Sequence, residues 1–389
     1  MRPKTNRIRK INGSLKRIFS PELKYVLVIF LITRAAMTPL IVESRAIGSE
    51  TSRFVSVAYV NYAPNWLGAW GMWDSAWYLD IAKNWYSPEI KTDIWHYNQA
   101  NYGFFPLYPL LMRLIGQAIG DYFIAGLIVS NVSLIIACLF MFKLASLQYD
   151  KATAYRAIKY MFLFPAAFMF SAVLTESLAL ALILASFYFA KSGGWLKAGV
   201  SGFLLALTKP YGALILIPLS FEYYKTYGLK VRPQAASLLL VPAGLFLFMC
   251  FTHILTGDFM AYPHIKESGW GHHLSNPATV LVEAITSGRA SYVLNGLFSA
   301  AMILILLLNY RRMESSYLLF GLLFTLVPLA NEGRGMLQCM TRYALIVFPL
   351  YITLALDTRR LLTDYCVTAT LIPLQLILLY IWASGTYAI

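Results

Sequence analysis

Long runs of apolar residues, seldom interrupted by charge, set the strongest limit on what this sequence can fold into. A helix needs about 20 predominantly apolar residues to cross the hydrocarbon core of a bilayer. Only 13% of the residues are charged, whereas a typical soluble domain has about 25%. The runs therefore predict an all-α integral membrane protein and argue against a soluble enzyme or a disordered chain. The plainest spans are Tyr25–Val42, Tyr122–Leu147, Ala235–Leu255, Tyr292–Tyr310, Ser316–Ala330, Met340–Leu356 and Tyr365–Ala383.

The excess of positive charge indicates which loops face the cytoplasm. The sequence has 32 Lys and Arg residues against 18 Asp and Glu, a formal net charge of +14. The basic residues lie between apolar runs, and short cytoplasmic loops of membrane proteins carry such an excess. Residues 1–24 hold many bases and a single acid, which predicts a basic cytoplasmic N-terminal segment. We expect one multi-pass domain over residues 25–389, and no nucleic-acid partner.

The stretch from residue 155 to residue 224 sets the number of membrane segments. Pro165, the pair Gly193–Gly194 and the pair Lys209–Pro210 divide it into four short apolar pieces. If residues 200–219 formed one span, a basic loop would lie outside. Two short helices that meet at Lys209–Pro210 place every basic cluster on one side. This choice predicts about 11 membrane segments by the span-length rule, with the C-terminus outside.

Two segments on the outer side are long enough to carry chemistry. The first, residues 43–121, lacks the basic excess and includes the apolar run Phe104–Gly120, which Pro106 and Pro109 interrupt. That run is short for a span and is typical of a re-entrant or interfacial helix. The second outer loop, residues 256–290, contains three of the five histidines.

A few charged residues interrupt the apolar runs and need a reason to be there. A charge at the centre of the bilayer costs at least about 2.5–3.5 kcal/mol. Such residues from distant parts of the sequence could converge on one site in the outer leaflet. Alternatively, Glu176 pairs with Lys209 or Arg34 and joins helices. The set comprises Arg34, Glu176, Lys209 and Arg342, which Tyr343 follows.

The first outer loop contains a dense cluster of aromatic and acidic residues from Trp73 to Ala82. On a helix, Trp73, Trp77 and Asp80 would share one face, and Asp74 and Tyr78 would lie on the adjoining face. Aromatic rings beside carboxylates suit a sugar, whereas an interfacial aromatic belt would show the same enrichment. A carboxylate held among aromatic rings is desolvated and poised as a base.

Motifs for other chemistries are missing. The sequence has no P-loop, no GxSxG and no GxGxxG in a strand–helix context, which argues against nucleotide-dependent and serine-hydrolase activity. The spacing of His264, His272 and His273 does not favour zinc, but these side chains could bind a phosphate. No cofactor is indicated, although the carboxylates of Asp74, Asp80 and Glu176 could form part of a site for a divalent cation. The four cysteines lie in apolar runs and imply no disulfides.

Five motifs resemble those of the PIG-V-like mannosyltransferases, multi-spanning glycosyltransferases of the GT-C type. They extend in that family's order from Trp73 to Tyr351. The resemblance implies a GT-C-like helical bundle with a long extracytoplasmic first loop. The motifs are WDSAWYLDIAKNWY, FFPLYPLLMRL, PAAFMFSAVLTESLALAL, LTKPYGALILIP and MTRYALIVFPLY.

The resemblance also implies an activity. Enzymes of that family transfer mannose from a polyprenyl-phosphate, dolichyl-phosphate in eukaryotes, to a hydroxyl of a lipid- or protein-linked glycan acceptor outside the cytoplasm, as in GPI-anchor-like glycan biosynthesis. Asp74 matches the expected catalytic base, Glu176 the family's acidic position and Arg342 its Arg-Tyr pair. Lys209 stands where arginine is more usual. The short chain is more similar to bacterial members, which implies the plasma membrane rather than the endoplasmic reticulum.

The residues suggest a mechanism consistent with that activity. Asp74 would take the proton of the acceptor hydroxyl while the sugar carbon is inverted, and Lys209 and Arg342 would hold the leaving phosphate. Alternatives are a flippase for a lipid-linked glycan, a non-catalytic lipid-binding subunit, or a GT-C enzyme with another polyprenyl-phosphate sugar. The other candidate substrate-binding residues are Trp73, Trp77, Tyr78, Asp80, Glu176, Tyr343 and His272.

Overall fold

The computed structural model describes residues 20–51, 62–92, 98–230, 232–333, 337 and 339–385, so most of the basic segment at residues 1–24 lies outside the described residues. Helices dominate this part of the chain. In order they are α1 (Pro21–Thr51), α2 (Asn65–Gly68), α3 (Ser75–Asn84), α4 (Leu107–Ile119), α5 (Tyr122–Gln148), α6 (Lys151–Leu163), α7 (Glu176–Lys191), α8 (Trp195–Ala206), α9 (Leu216–Tyr227), α10 (Leu240–Thr256), α11 (Ala261–Trp270), α12 (Pro277–Thr286), α13 (Ala290–Leu308), α14 (Ser315–Ala330), α15 (Met340–Tyr343), α16 (Pro349–Asp357) and α17 (Leu361–Ala383).

Short 3-10 turns and one small ribbon complete the described elements. The turns span Asn101–Gly103, Ala167–Ser171, Pro210–Ile215, Pro233–Leu239 and Ala344–Ile346. Strands β1 (His272–Leu274) and β2 (Asn331–Gly333) pair antiparallel, with His273 opposite Glu332.

The described residues carry the helices of a multi-pass membrane protein. Five helices are long and apolar enough to cross a bilayer: α1, α5, α13, α17 and α10 together with the turn before it. A bent pair, Met340–Ile346 with Pro349–Asp357, would make six. The predicted count of about 11 segments is not confirmed, because only five or six candidate spans are found among the described residues. The predicted span Ser316–Ala330 forms α14, which is only a short apolar helix.

The predicted span Met340–Leu356 is wrong as a single straight helix. The chain bends by 81° between residues 346 and 349. Pro349 starts α16, and a proline has no amide hydrogen with which to continue a preceding helix. The break leaves α15 as a short helix that carries Arg342.

The predicted hairpin around Lys209–Pro210 is confirmed. The indole Nε1 of Trp195, at the start of α8, donates a hydrogen bond to the Tyr227 hydroxyl, at the end of α9, over 3.1 Å. The two short helices therefore run antiparallel, with Lys209 at their junction. Gly212 lies so close to α8 that a Cβ there would be 2.5 Å from the carbonyl oxygen of Leu205.

Opposite charges join the helices at one end of the molecule. Lys191, at the C-terminal end of α7, lies 3.0 Å from Glu222 of α9, and Arg312 lies 2.5 Å from Asp357 of α16. Glu176 begins the same helix α7. The predicted basic loops thus gather at the end of α7 opposite Glu176, about 22 Å away by helical rise.

The predicted re-entrant run forms α4, a short apolar helix. It ends at Gly120, whose φ of 78° is left-handed, as is common where a glycine terminates a helix. At its other end the Leu107 amide donates to the Leu207 carbonyl over 2.9 Å. This bond fixes the start of α4 beside the hairpin junction.

We predict that Gly212→Ala destabilises the protein, because the new methyl group would overlap the Leu205 carbonyl. Overpacking of this kind costs about 1–3 kcal/mol. Thermal unfolding of the detergent-purified protein should show a lowered midpoint. Gly194→Ala is the matched control, since its Cβ would lie 3.5 Å from the nearest atom. Equal midpoints for the two variants would contradict the close approach.

Candidate functional site

Four charged side chains from distant parts of the sequence meet at the end of α7 opposite the basic loops. The Arg342 guanidinium donates through Nη1 to Asp74 Oδ2 and through Nε to Glu176 Oε1, each over 2.6 Å. Lys209 Nζ donates to the same Glu176 oxygen over 2.8 Å. Asp74, Arg342, Glu176 and Lys209 thus form one chain of alternating charge, which we call the charge cluster.

Hydrogen bonds to the backbone bring the segments of the charge cluster together. The Val173 amide donates to the Trp70 carbonyl over 2.8 Å, and the Ser75 hydroxyl donates to the Val173 carbonyl over 2.9 Å. These bonds join the loop before α3 to the loop before α7. The side chain of Asn295, buried in α13, accepts from the Met340 amide over 2.7 Å and holds α15 in place.

Burial makes the pairing within the charge cluster necessary. The Glu176 side chain is 1% exposed, that of Lys209 8% and that of Arg342 10%. Removing one partner of a buried ion pair costs about 3–5 kcal/mol. The alternative in which Glu176 pairs with Lys209 is therefore confirmed. Arg34 instead donates to the Ser171 hydroxyl over 2.7 Å.

Asp74 differs from its partners because it is partly open to water. Its side chain is 33% exposed. It occupies the N-cap position of α3 but makes no capping hydrogen bond, although aspartate commonly caps a helix. Within the described residues, Arg342 is the one partner of its carboxylate, through Oδ2. No hydrogen bond from the described residues reaches the second oxygen, Oδ1.

A cavity with about 100 Å³ of water-accessible space opens beside Asp74. Typical ligand pockets measure about 300–1,000 Å³, so this cavity is a small one. Six of the ten residues proposed from the sequence line it: Asp74, Tyr78, Lys209, His272, Arg342 and Tyr343. Glu176 lies behind Lys209 and Arg342. The other lining residues are Gly103, Phe104, Phe105, Thr208, Pro210, Tyr211, Tyr262, Lys266 and Asn331.

Lys266 is a cavity residue that the sequence reasoning missed. Its Nζ lies 4.0 Å from the centre of the Trp270 ring and 4.4 Å from that of Phe104. No carboxylate of the described residues is within ion-pair distance of it. Cation–π contacts contribute about 0.5–2 kcal/mol, or somewhat more when desolvated, whereas full burial of an ion costs several kcal/mol. The spacing of Lys266 and Trp270 on one helical face was the available signal.

The environment also shifts the pKa values of Lys266 and His272, which lie in the segment of residues 256–290. Burial lowers the pKa of Lys266 to about 8, although Asp74 acts in the opposite direction. Burial, and next the Lys266 charge, lower the pKa of His272 to about 4. At neutral pH the His272 ring is therefore neutral. Its Nδ1 lies 3.2 Å from the Asn331 side-chain amide, across the ribbon of β1 and β2.

The structure does not bring Trp73, Trp77 and Asp80 to the cavity. Trp73 precedes α3 with a left-handed φ of 52°, so it does not share the predicted helical face. Trp77 is buried with its ring stacked on Phe104 at 5.6 Å between centres. The Asp80 carboxylate accepts hydrogen bonds from Asn84 and Asn101 over 2.9 and 3.1 Å.

Two tyrosines that line the cavity contact each other. The rings of Tyr211 and Tyr343 pack edge to face at 5.9 Å. Within the described residues the buried Tyr211 hydroxyl has no hydrogen-bond partner. Buried hydroxyls are usually satisfied, so this unpaired group is an exception.

The described part of the chain contains no group of three His, Cys, Asp or Glu side chains placed to hold a metal ion. His264 lies 2.7 Å from Asp258 and His273 lies 3.0 Å from Glu332, so these two histidines pair with separate carboxylates. Asp74 and Glu176 both bond to Arg342.

No protein-family model and no curated protein matches this sequence. Among solved structures, the chain is similar to crystal structures of the Archaeoglobus fulgidus oligosaccharyltransferase. The form tethered to an acceptor peptide gives a TM-score of 0.45 with 13% identity over 90% of this chain and 55% of that one. The complex with zinc and sulfate gives a TM-score of 0.44 with 14% identity, over 90% of this chain and 53% of that one. The apo form gives a TM-score of 0.46 with 12% identity, over 90% of this chain and 56% of that one. The chain thus spans about half the length of these proteins.

Proposed function

We propose that this protein is an inverting membrane glycosyltransferase that moves mannose from a polyprenyl-phosphate donor to a hydroxyl of a glycan acceptor. The observation that carries the proposal is the carboxylate of Asp74. One of its oxygens is fixed by a buried arginine, and its side chain lines a cavity with aromatic and basic walls. The sequence resemblance to the PIG-V-like mannosyltransferases supports the choice of mannose and of a lipid- or protein-linked glycan acceptor.

The arrangement supports a single displacement at the anomeric carbon. Asp74 Oδ1 accepts the proton of the acceptor hydroxyl as the hydroxyl oxygen bonds to that carbon. The bond from the carbon to the phosphate oxygen breaks on the opposite face, so the anomeric configuration inverts. Positive groups around the cavity stabilise the charge that develops on the leaving phosphate. Arg342 holds the carboxylate in one orientation through its bond to Oδ2.

The distribution of charge supports an orientation in the membrane. Short basic loops face the cytoplasm, so the end of α7 at Lys191 would be cytoplasmic and the end at Glu176 extracytoplasmic. The cavity then opens at the outer leaflet, where a polyprenyl chain can remain in the bilayer while its phosphate enters. We propose the bacterial plasma membrane as its location, with the N-terminus in the cytoplasm.

We predict that Asp74→Asn lowers the rate of transfer by about 10²–10⁴-fold, the usual contribution of a general base. Asparagine keeps the shape of the side chain but cannot accept the proton. The measurement is transfer of labelled mannose from polyprenyl-phosphate mannose to a glycolipid acceptor in proteoliposomes.

The control for this measurement is Asp258→Asn. Asp258 also lies in an outer loop, but it is exposed, pairs with His264 and does not line the cavity. The transfer rate of the Asp258→Asn variant should equal that of the wild type. Normal turnover by Asp74→Asn would overturn the assignment of the base. Movement of labelled lipid across the bilayer without product would favour a flippase.

We predict that Glu176→Ala lowers stability by about 3–5 kcal/mol, because it leaves Lys209 and Arg342 buried beside each other without their shared carboxylate. Glu176→Gln keeps the side-chain volume and one acceptor oxygen, so this variant should lose less stability than Glu176→Ala. The free energy of unfolding in detergent measures both. Glu283→Ala, at an exposed carboxylate, is the control. Equal stability of Glu176→Ala and Glu283→Ala would contradict the role of the buried pair.

A further inference from the structure

We infer that Lys266 binds the phosphate group of the lipid donor and so fixes which end of the donor enters the cavity. The inference rests on the proposed function and adds a residue that none of the five sequence motifs contains. It assigns to Lys266 the binding of the donor phosphate, which the sequence alone had suggested for Lys209 and Arg342.

The balance of charge around the cavity supports this assignment. Lys209 and Arg342 share two carboxylates, Glu176 and Asp74, so the charge cluster is formally neutral. Lys266 adds a positive charge that lines the same cavity and has no carboxylate partner within the described residues. A cavity with this surplus attracts an anion, and a partly buried ammonium gains most from a partner that carries a formal negative charge.

The aromatic residues beneath Lys266 hold it in position for this contact. The rings of Trp77, Phe104 and Trp270 pack on one another with centres 5.6 to 5.9 Å apart. Lys266 Nζ lies against the Phe104 and Trp270 rings, so its stem has little freedom. Trp77 thus acts at a distance, as part of the platform that supports the lysine.

Uncharged hydrogen-bonding groups lie around the same space. His272, whose ring is neutral, and Asn331 line the cavity from the ribbon, and Tyr211 lines it from the hairpin. A phosphate has more acceptor oxygens than one ammonium can satisfy, and such neutral donors suit the others. None of them would repel the anion.

The neighbouring helix supports a lipid as the source of the phosphate. Phe105 and Tyr262 line the cavity, and both pack against Phe248 of α10, at 4.4 and 6.2 Å between ring centres. The other face of α10 leaves Phe246 and Leu247 exposed, 61% and 53% respectively. Together with the turn before it, α10 is apolar enough to span a bilayer. A single layer of aromatic side chains would then separate the cavity from the lipid hydrocarbon.

The test compares binding of farnesyl monophosphate and of uncharged farnesol to the detergent-purified full chain at pH 7. We expect the wild type to prefer the phosphate by at least about tenfold, the effect of one charge-assisted contact. Lys266→Met keeps the apolar stem and should abolish the preference. Lys266→Arg keeps the charge and should retain it. Binding is measured without turnover, so this result is independent of the Asp74→Asn assay.

The pH dependence separates a direct contact from a structural effect. Because the pKa of Lys266 is lowered, the side chain is charged below about pH 8 and loses its charge above it. Wild-type affinity for farnesyl monophosphate should therefore fall by about tenfold or more between pH 7 and about pH 9.5. Lys266→Arg should change by less than about threefold, since arginine stays charged. The titratable and charged groups facing Lys266 across the cavity are Asp74, Tyr78, Lys209, Tyr211, Tyr262, His272, Arg342 and Tyr343.

Lys91→Met is the matched control, because Lys91 also lies over an aromatic ring, Trp77, at 4.8 Å but does not line the cavity. It should leave the preference for phosphate unchanged. An unchanged preference in Lys266→Met, or an identical pH profile in Lys266→Arg and the wild type, would overturn the inference. Equal affinity for inorganic phosphate and farnesyl monophosphate would overturn the assignment to a lipid.

Discussion

The pairing of Glu176 with Lys209 and Arg342 is the interaction on which the site depends. Three ionised groups at most 10% exposed are tolerable only because each neutralises another. Their contacts require the start of α7, the junction between α8 and α9, and the short helix α15 to meet at one point. Asp74 then receives its orientation from Arg342 and needs no capping bond of its own.

Helix α7 connects this cluster to the other charged region of the molecule. Glu176 begins the helix and Lys191 ends it, so one rigid element separates the cavity from the basic loops. At the basic end the Lys191–Glu222 pair is also buried, with side chains 12% and 6% exposed, whereas Arg312 and Asp357 form an exposed pair, which contributes little. At the cavity end Glu176, Lys209 and Arg342 are buried, and loss of one of them is expensive.

The sequence patterns predicted much of the architecture for identifiable physical reasons. Apolar length predicted five helices that could span a bilayer, and the placement of bases predicted the hairpin at Lys209–Pro210. The rule failed at Met340–Leu356, where hydropathy does not register the bend before Pro349. The predicted helical face of Trp73, Trp77 and Asp80 was also wrong for Trp73. This residue has a left-handed φ and lies before α3, so it does not share a face with Trp77.

Composition and spacing along the chain are enough to show that it is apolar, helical and asymmetric in charge. They also mark Arg34, Glu176, Lys209 and Arg342 as charges within apolar runs that need partners, and Asp74 as a candidate base. Which groups pair follows from the folded arrangement alone, because residues far apart in sequence meet through backbone bonds such as that between Val173 and Trp70. The folded arrangement also leaves Lys266 without a carboxylate partner in the described part of the chain, since charge balance in a cavity is a property of space.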